Sequence, residues 1–169
     1  MGSCCRNGCR IFAASVSPVL AAISYIFYLH KENGIVGQSL WTVLLVIIPP
    51  GLLIIAMLHA GSTRDMLQDK AAGRRTRALK MGLEGSQIAY QTLLLVAYLL
   101  IAIMVMIQML DSWVFLVLLS FPLAIKNLKL MKKATMDDLE IIRSLDIRTA
   151  RLVLIFSLLM MAGNIIASL

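Results

Sequence analysis

An all-α, polytopic transmembrane bundle is the fold class that this sequence predicts, on three observations. The residues are 60% hydrophobic and 15% charged, whereas about one quarter of a soluble domain is charged. The apolar residues are gathered into blocks near the roughly 20 residues needed to cross a bilayer as a helix. Basic residues collect in the connections between those blocks. A mean hydropathy of +0.86 agrees with all three.

Taken in order, the blocks predict five spans within a single transmembrane domain covering residues 1–169, at 11–29, 40–58, 88–110, 113–131 and 150–167. Arg6 and Arg10 precede the first span. The connection to the second carries only Lys31, offset by Glu32. After the second span come Arg64, Lys70, Arg74, Arg75, Arg77 and Lys80. The turn near Asp111 carries no base, and Pro122 interrupts the fourth span. Lys126 and Lys129 can reach the interface along their alkyl stems. Lys132, Lys133, Arg143 and Arg148 then fill the next connection. This alternation of basic-rich and basic-poor connections predicts a cytoplasmic N-terminus, an external C-terminus and two large cytoplasmic loops in a cell membrane.

Several function classes fall away. The net charge of +7 is spread among membrane connections and not over a basic face interleaved with aromatics, so no nucleic-acid partner is expected. Cys4, Cys5 and Cys9 supply neither a disulfide framework nor zinc spacing. The opening MGSCC has Arg6 where an acylation motif needs Ser or Thr. No His partners a Ser or Thr for a hydrolytic triad.

The informative stretch is TRDMLQDKAAGRRT, from Thr63 to Thr76. Asp65 and Asp69 are one helical turn apart, so a helix continuing from the second span puts both carboxylates on one face. Such a pair suits a hard divalent cation, and Mg²⁺ takes oxygen ligands while keeping waters for substrate phosphates. Arg64, Lys70, Arg74 and Arg75 can hold the remaining phosphate oxygens. Gly73 can end the helix or admit a close ligand. The competing reading is a solvated charged face, with the bases explained by topology.

The segment LHAGSTRDMLQDKAAGRRTRALKMG, from Leu58 to Gly82, resembles the second aspartate-rich motif of the UbiA superfamily of intramembrane aromatic prenyltransferases. It is closest in pattern to the dihydroxynaphthoate branch of menaquinone biosynthesis, which reads NNxRDxxxDxxxGKxT. Arg64, Asp65, Asp69, Gly73, Arg74, Thr76 and Gly82 fall on the motif positions, with Arg74 in place of the usual Lys. The resemblance continues through SFPLAI and RTARLVLIFSLLMMAG. Gly61 and Ser62 stand where the family has two Asn, and the family's first motif, NDxxDxxxD, does not occur in this chain. The five spans resemble the last five of a nine-helix fold, so the chain looks like the C-terminal half of such an enzyme.

The resemblance implies a prenyltransferase that moves a polyprenyl group from its diphosphate to an aromatic acceptor such as 1,4-dihydroxy-2-naphthoate. It implies Asp65 and Asp69 as Mg²⁺ ligands, and Arg64, Lys70 and Arg74 as diphosphate contacts. A complementary N-terminal half or an oligomer is expected to complete the site. The rival readings are a non-catalytic remnant or partner subunit, and a small lipid-binding membrane protein. Asp138 and Asp146 read as solvated loop residues, His59 as interfacial, and Gln108 as a polar group within the third span.

The charge pattern sets a topological test. A reporter fused after Leu169 is expected outside the cytoplasm and one inserted near Arg75 inside. A cytoplasmic C-terminus means a miscounted span, with Pro122 the first suspect.

Overall fold

The computed structural model describes residues 40–135 and 138–168; the expected span 11–29 lies outside them. Helix α1, Leu40–Arg64, contains Pro49 and Pro50. Prolines cost less in a membrane helix than in a soluble one because neighbouring groups re-satisfy the freed carbonyls. A one-residue turn at Asp65 leads into α2, Met66–Ala71. Helix α3, Arg77–Met106, begins at Thr76, whose side chain accepts from the Leu79 amide. A 3-10 helix, Ser112–Ser120, passes into α4, Phe121–Lys133. A short 3-10 turn, Leu139–Ile142, precedes α5, Leu145–Ser168.

Four of these stretches are long and apolar enough to cross a membrane: Leu45–Arg64, Arg77–Met106, Ser112–Lys133 and Leu145–Ala167. The chain is thus a multi-pass, all-α membrane protein. Three expectations are refined. Pro122 does not interrupt a helix but opens α4 at its first turn, where its missing N–H costs nothing. The helix that carries the third span starts earlier, at Arg77, is broken at Gly82 and ends at Met106. Gln108 therefore lies beyond the span, exposed, with φ +57. Its amide meets the Val105 carbonyl while the Met109 amide meets that of Met104. This is the usual closure of a helix C-terminus through one left-handed residue.

Helix α3 packs against α1, while α5 packs against α1 and the 3-10 helix. Because lipid is as apolar as leucine, packing and internal hydrogen bonds hold such helices together more than the hydrophobic effect does. The Tyr90 hydroxyl pairs with Thr149 Oγ1 at 2.7 Å, joining α3 to α5. The Tyr98 hydroxyl pairs with Ser120 Oγ at 2.7 Å. The Tyr98 ring stands edge-on to Phe121 and Phe156, with centroids 5.4 and 5.5 Å away. Gln87 Nε2 donates to the carbonyls of Met131 and Ala134, both at 3.0 Å, covering orphan groups at the end of α4.

At Gly163 of α5 one backbone lies directly against another. A Cβ there would sit 2.8 Å from the Trp113 carbonyl oxygen and 2.9 Å from Val114 Cα. Both are backbone atoms and cannot swing aside. Gly163→Ala is expected to destabilise the bundle by about 1–3 kcal/mol, read as a lower unfolding midpoint in detergent. An unchanged midpoint would mean that α5 and the 3-10 helix are not in backbone contact.

Candidate functional site

The site forms where α1 leaves the bundle. Thr63 Oγ1 donates to the His59 carbonyl at 2.9 Å, and Thr63 is fully buried. The Asp65 amide still reaches the Gly61 carbonyl at 3.1 Å, and the Asp69 amide reaches that of Asp65 at 2.9 Å. The helical ladder thus carries through the turn, leaving Asp65 and Asp69 one turn apart as their spacing requires. Buried Met66, 1% exposed, anchors the short α2.

Gly73, at φ +66, terminates α2. Its amide meets the Lys70 carbonyl at 3.2 Å, and the Arg74 amide meets the Asp69 carbonyl at 2.9 Å. These two bonds make a Schellman closure. The closure turns the chain so that the Arg74 guanidinium comes within 3.7 Å of Asp69. Arg74 is 74% exposed and the Asp69 side chain 13%, so this loose pair leaves Arg74 largely in solvent. Lys70, Gly73, Arg74, Arg75, Leu79 and Lys80 line an open depression of about 400 Å³. Four cations around one depression, with no carboxylate in its lining, suit an anion.

Arg64 is placed differently from the other bases. Its Nε and one terminal nitrogen donate to the two Asp65 oxygens at 2.6 and 2.8 Å. The other terminal nitrogen donates to Asp146 Oδ2 at 2.6 Å. Its guanidinium is therefore held between two carboxylates. Asp146, expected as a solvated loop residue, is buried, with its side chain 0% exposed. The expectation failed because the first turn of α5 is packed under the end of α1. A partner 82 positions away leaves no local trace in a sequence. The only local signal was an acidic residue in a helix first turn, which the helix dipole favours anyway. His59 points elsewhere: its Nε2 donates to the Ser86 carbonyl at 3.2 Å, tying α1 to α3.

The residues can be tested against the expected Mg²⁺. No group of three or more His, Cys, Asp or Glu side chains that could hold a metal occurs among the described residues. Two carboxylates one turn apart nonetheless fit a cation that takes one or two protein oxygens and completes its shell with water and phosphate. Asp65 accepts from Arg64 at both oxygens, but a carboxylate has about four lone-pair sites. Capacity for a cation therefore remains.

Known proteins give the next observation. Over 111 residues, 66% of this chain, the sequence is 31% identical to 1,4-dihydroxy-2-naphthoate octaprenyltransferase of Bacillus subtilis (strain 168). The chain is related to the UbiA-type prenyltransferases. Over 61 residues it is also 43% identical to UbiA prenyltransferase domain-containing protein 1 of Mus musculus. The aligned stretches cover 33% of the bacterial relative and 18% of the mouse one, so the relationship to the UbiA type is to part of those proteins. No family model matches the chain, and no solved structure does.

Gly73 offers a local test. A Cβ there would meet nothing within 4 Å, so a substitution acts only through backbone strain, about 1–2 kcal/mol for a left-handed residue. Gly73→Ala is expected to speed amide hydrogen exchange across Met66–Ala71, and Gly73→Asn, which tolerates this conformation, to speed it less. Equal exchange in both variants and the parent would rule out the Schellman closure.

Proposed function

We propose that this chain binds the diphosphate of a polyprenyl diphosphate at the end of α1 and serves prenyl transfer to an aromatic acceptor. The observation that carries this reading is the contact of Asp69, one turn after Asp65, with Arg74, which together with Lys70 lines the basic depression. Carboxylates for a cation and bases for phosphate oxygens lie within one short helix and its cap. Asp65 and Asp69 are the proposed Mg²⁺ ligands, and Lys70 and Arg74 the proposed diphosphate contacts. Mg²⁺, when bound, supplies positive charge against the departing diphosphate.

The chain's own residues then do three things. The carboxylates would hold the cation that meets the diphosphate end, the bases neutralise its outer oxygens, and the apolar spans keep the prenyl tail in hydrocarbon. The name of the Bacillus subtilis relative supports 1,4-dihydroxy-2-naphthoate as the acceptor and menaquinone biosynthesis as the setting. In that reaction the allylic C–O bond breaks with its electron pair leaving on diphosphate. The electron-rich ring takes the prenyl cation, and the ring carboxylate departs as carbon dioxide.

The test is binding, measured on the purified chain with a non-transferable prenyl diphosphate analogue. Asp69→Asn is expected to weaken Mg²⁺-dependent binding roughly tenfold or more, and Asp138→Asn, at an exposed position, to leave it unchanged. Equal and negligible effects would make Asp65 and Asp69 solvated surface charges.

A further inference from the structure

We propose that Asp146 is a positioning residue of this site, acting through Arg64 on the Asp65 carboxylate. The proposal rests on the diphosphate reading above and adds a residue from a different helix to it.

The contacts form one directed chain. The Ile147 amide donates to Asp146 Oδ1 at 2.9 Å. Asp146 Oδ2 accepts from Arg64 at 2.6 Å, and Arg64 grips both Asp65 oxygens at 2.6 and 2.8 Å. Exposure falls along the same path, from 38% at Asp65 through 16% at Arg64 to 0% at Asp146. The outer carboxylate is open to solvent and the inner one is fixed in the bundle. Arg64 and Asp65 are sequence neighbours, and an arginine with a free far end could swing together with its carboxylate. The third contact removes that freedom, because Asp146 belongs to the packed first turn of α5.

The fork also orients Asp65. Two parallel N–H···O bonds in the guanidinium plane define the carboxylate plane, which leaves the outer lone pairs in one direction for a cation. Hydrogen-bond partners of metal-binding carboxylates typically change metal affinity by about 10- to 100-fold. Arg64 thus supports the site from behind, while Lys70 and Arg74 face the anion. Arg64 was expected among the diphosphate contacts, and its three short bonds give it this other role.

A merely structural Asp146 would weld α1 to α5 and do nothing more. The experiment separates the two roles by titrating Mg²⁺ against binding of geranyl S-thiolodiphosphate to the full chain in nanodiscs, alongside thermal unfolding. Mn²⁺ electron paramagnetic resonance on the same samples reports the cation's surroundings. Asp146→Asn keeps the side-chain shape and removes the charge. It is expected to raise the half-saturating Mg²⁺ concentration about tenfold and to alter the Mn²⁺ spectrum, with metal-free binding of inorganic diphosphate unchanged. An unchanged Mg²⁺ midpoint, with Asp69→Asn still weakening Mg²⁺-dependent binding, overturns the positioning role and leaves the diphosphate reading intact. Loss of effect in Asp69→Asn itself removes that reading, and the proposal with it. Should Asp146→Asn fail to fold, the neutral pair Arg64→Gln with Asp146→Asn leaves no lone buried charge. An unchanged Mg²⁺ midpoint in that pair is equally decisive against the proposal.

Discussion

The Arg64 guanidinium is the point on which the site's arrangement depends. It belongs to the last residue of α1, grips the turn that starts α2, and reaches the first turn of α5. Three chain segments are thereby brought to one cation. It pairs with the buried Asp146 carboxylate at 2.6 Å, and removing one partner from a buried ion pair costs about 3–5 kcal/mol. The interaction therefore does more than join helices. It lets a carboxylate sit inside an apolar bundle and sets which side of Asp65 meets solvent.

Away from that point, the bundle is held by a few polar contacts and by close backbone approach. Tyr90 with Thr149 and Tyr98 with Ser120 are each worth only about 0.6 kcal/mol by analogy with other membrane helices. They have directional value out of proportion to that energy. A hydroxyl pair allows one rotation of α3 about its axis, and both pairs must be satisfied together. Gly163 acts in the complementary sense, allowing α5 close to the 3-10 helix because nothing projects between them.

Much of this was legible in the residue order. Block hydropathy located four membrane-crossing stretches because length and apolarity are properties of the segment itself. The placement of Asp65 and Asp69 one helical turn apart followed from helical period, and the role of Gly73 from the scarcity of left-handed residues other than glycine. What was hidden depends on partners far along the chain. Asp146 looked like any hydrophilic residue in a charged connection, since its burial comes from the end of α1. Gln108 looked embedded because the apolar run continues to Leu110 although the helix stops at Met106. Pro122 was read as a break because sequence alone does not tell a helix interior from its first turn.

The glycine at position 82 has a consequence for hydrophobic matching. Helix α3 is 30 residues long, roughly 45 Å at 1.5 Å per residue, which is too long for a hydrocarbon layer of about 30 Å. Gly82, at φ +73 and ψ 178, occupies a backbone region open almost solely to glycine, and it divides the helix there. The portion after it measures roughly 36 Å, close to the layer with a modest tilt. The shorter portion, carrying Arg77 and Lys80, can follow the headgroup region on its own axis. One residue thus separates the part of the helix dimensioned by lipid from the part dimensioned by charge.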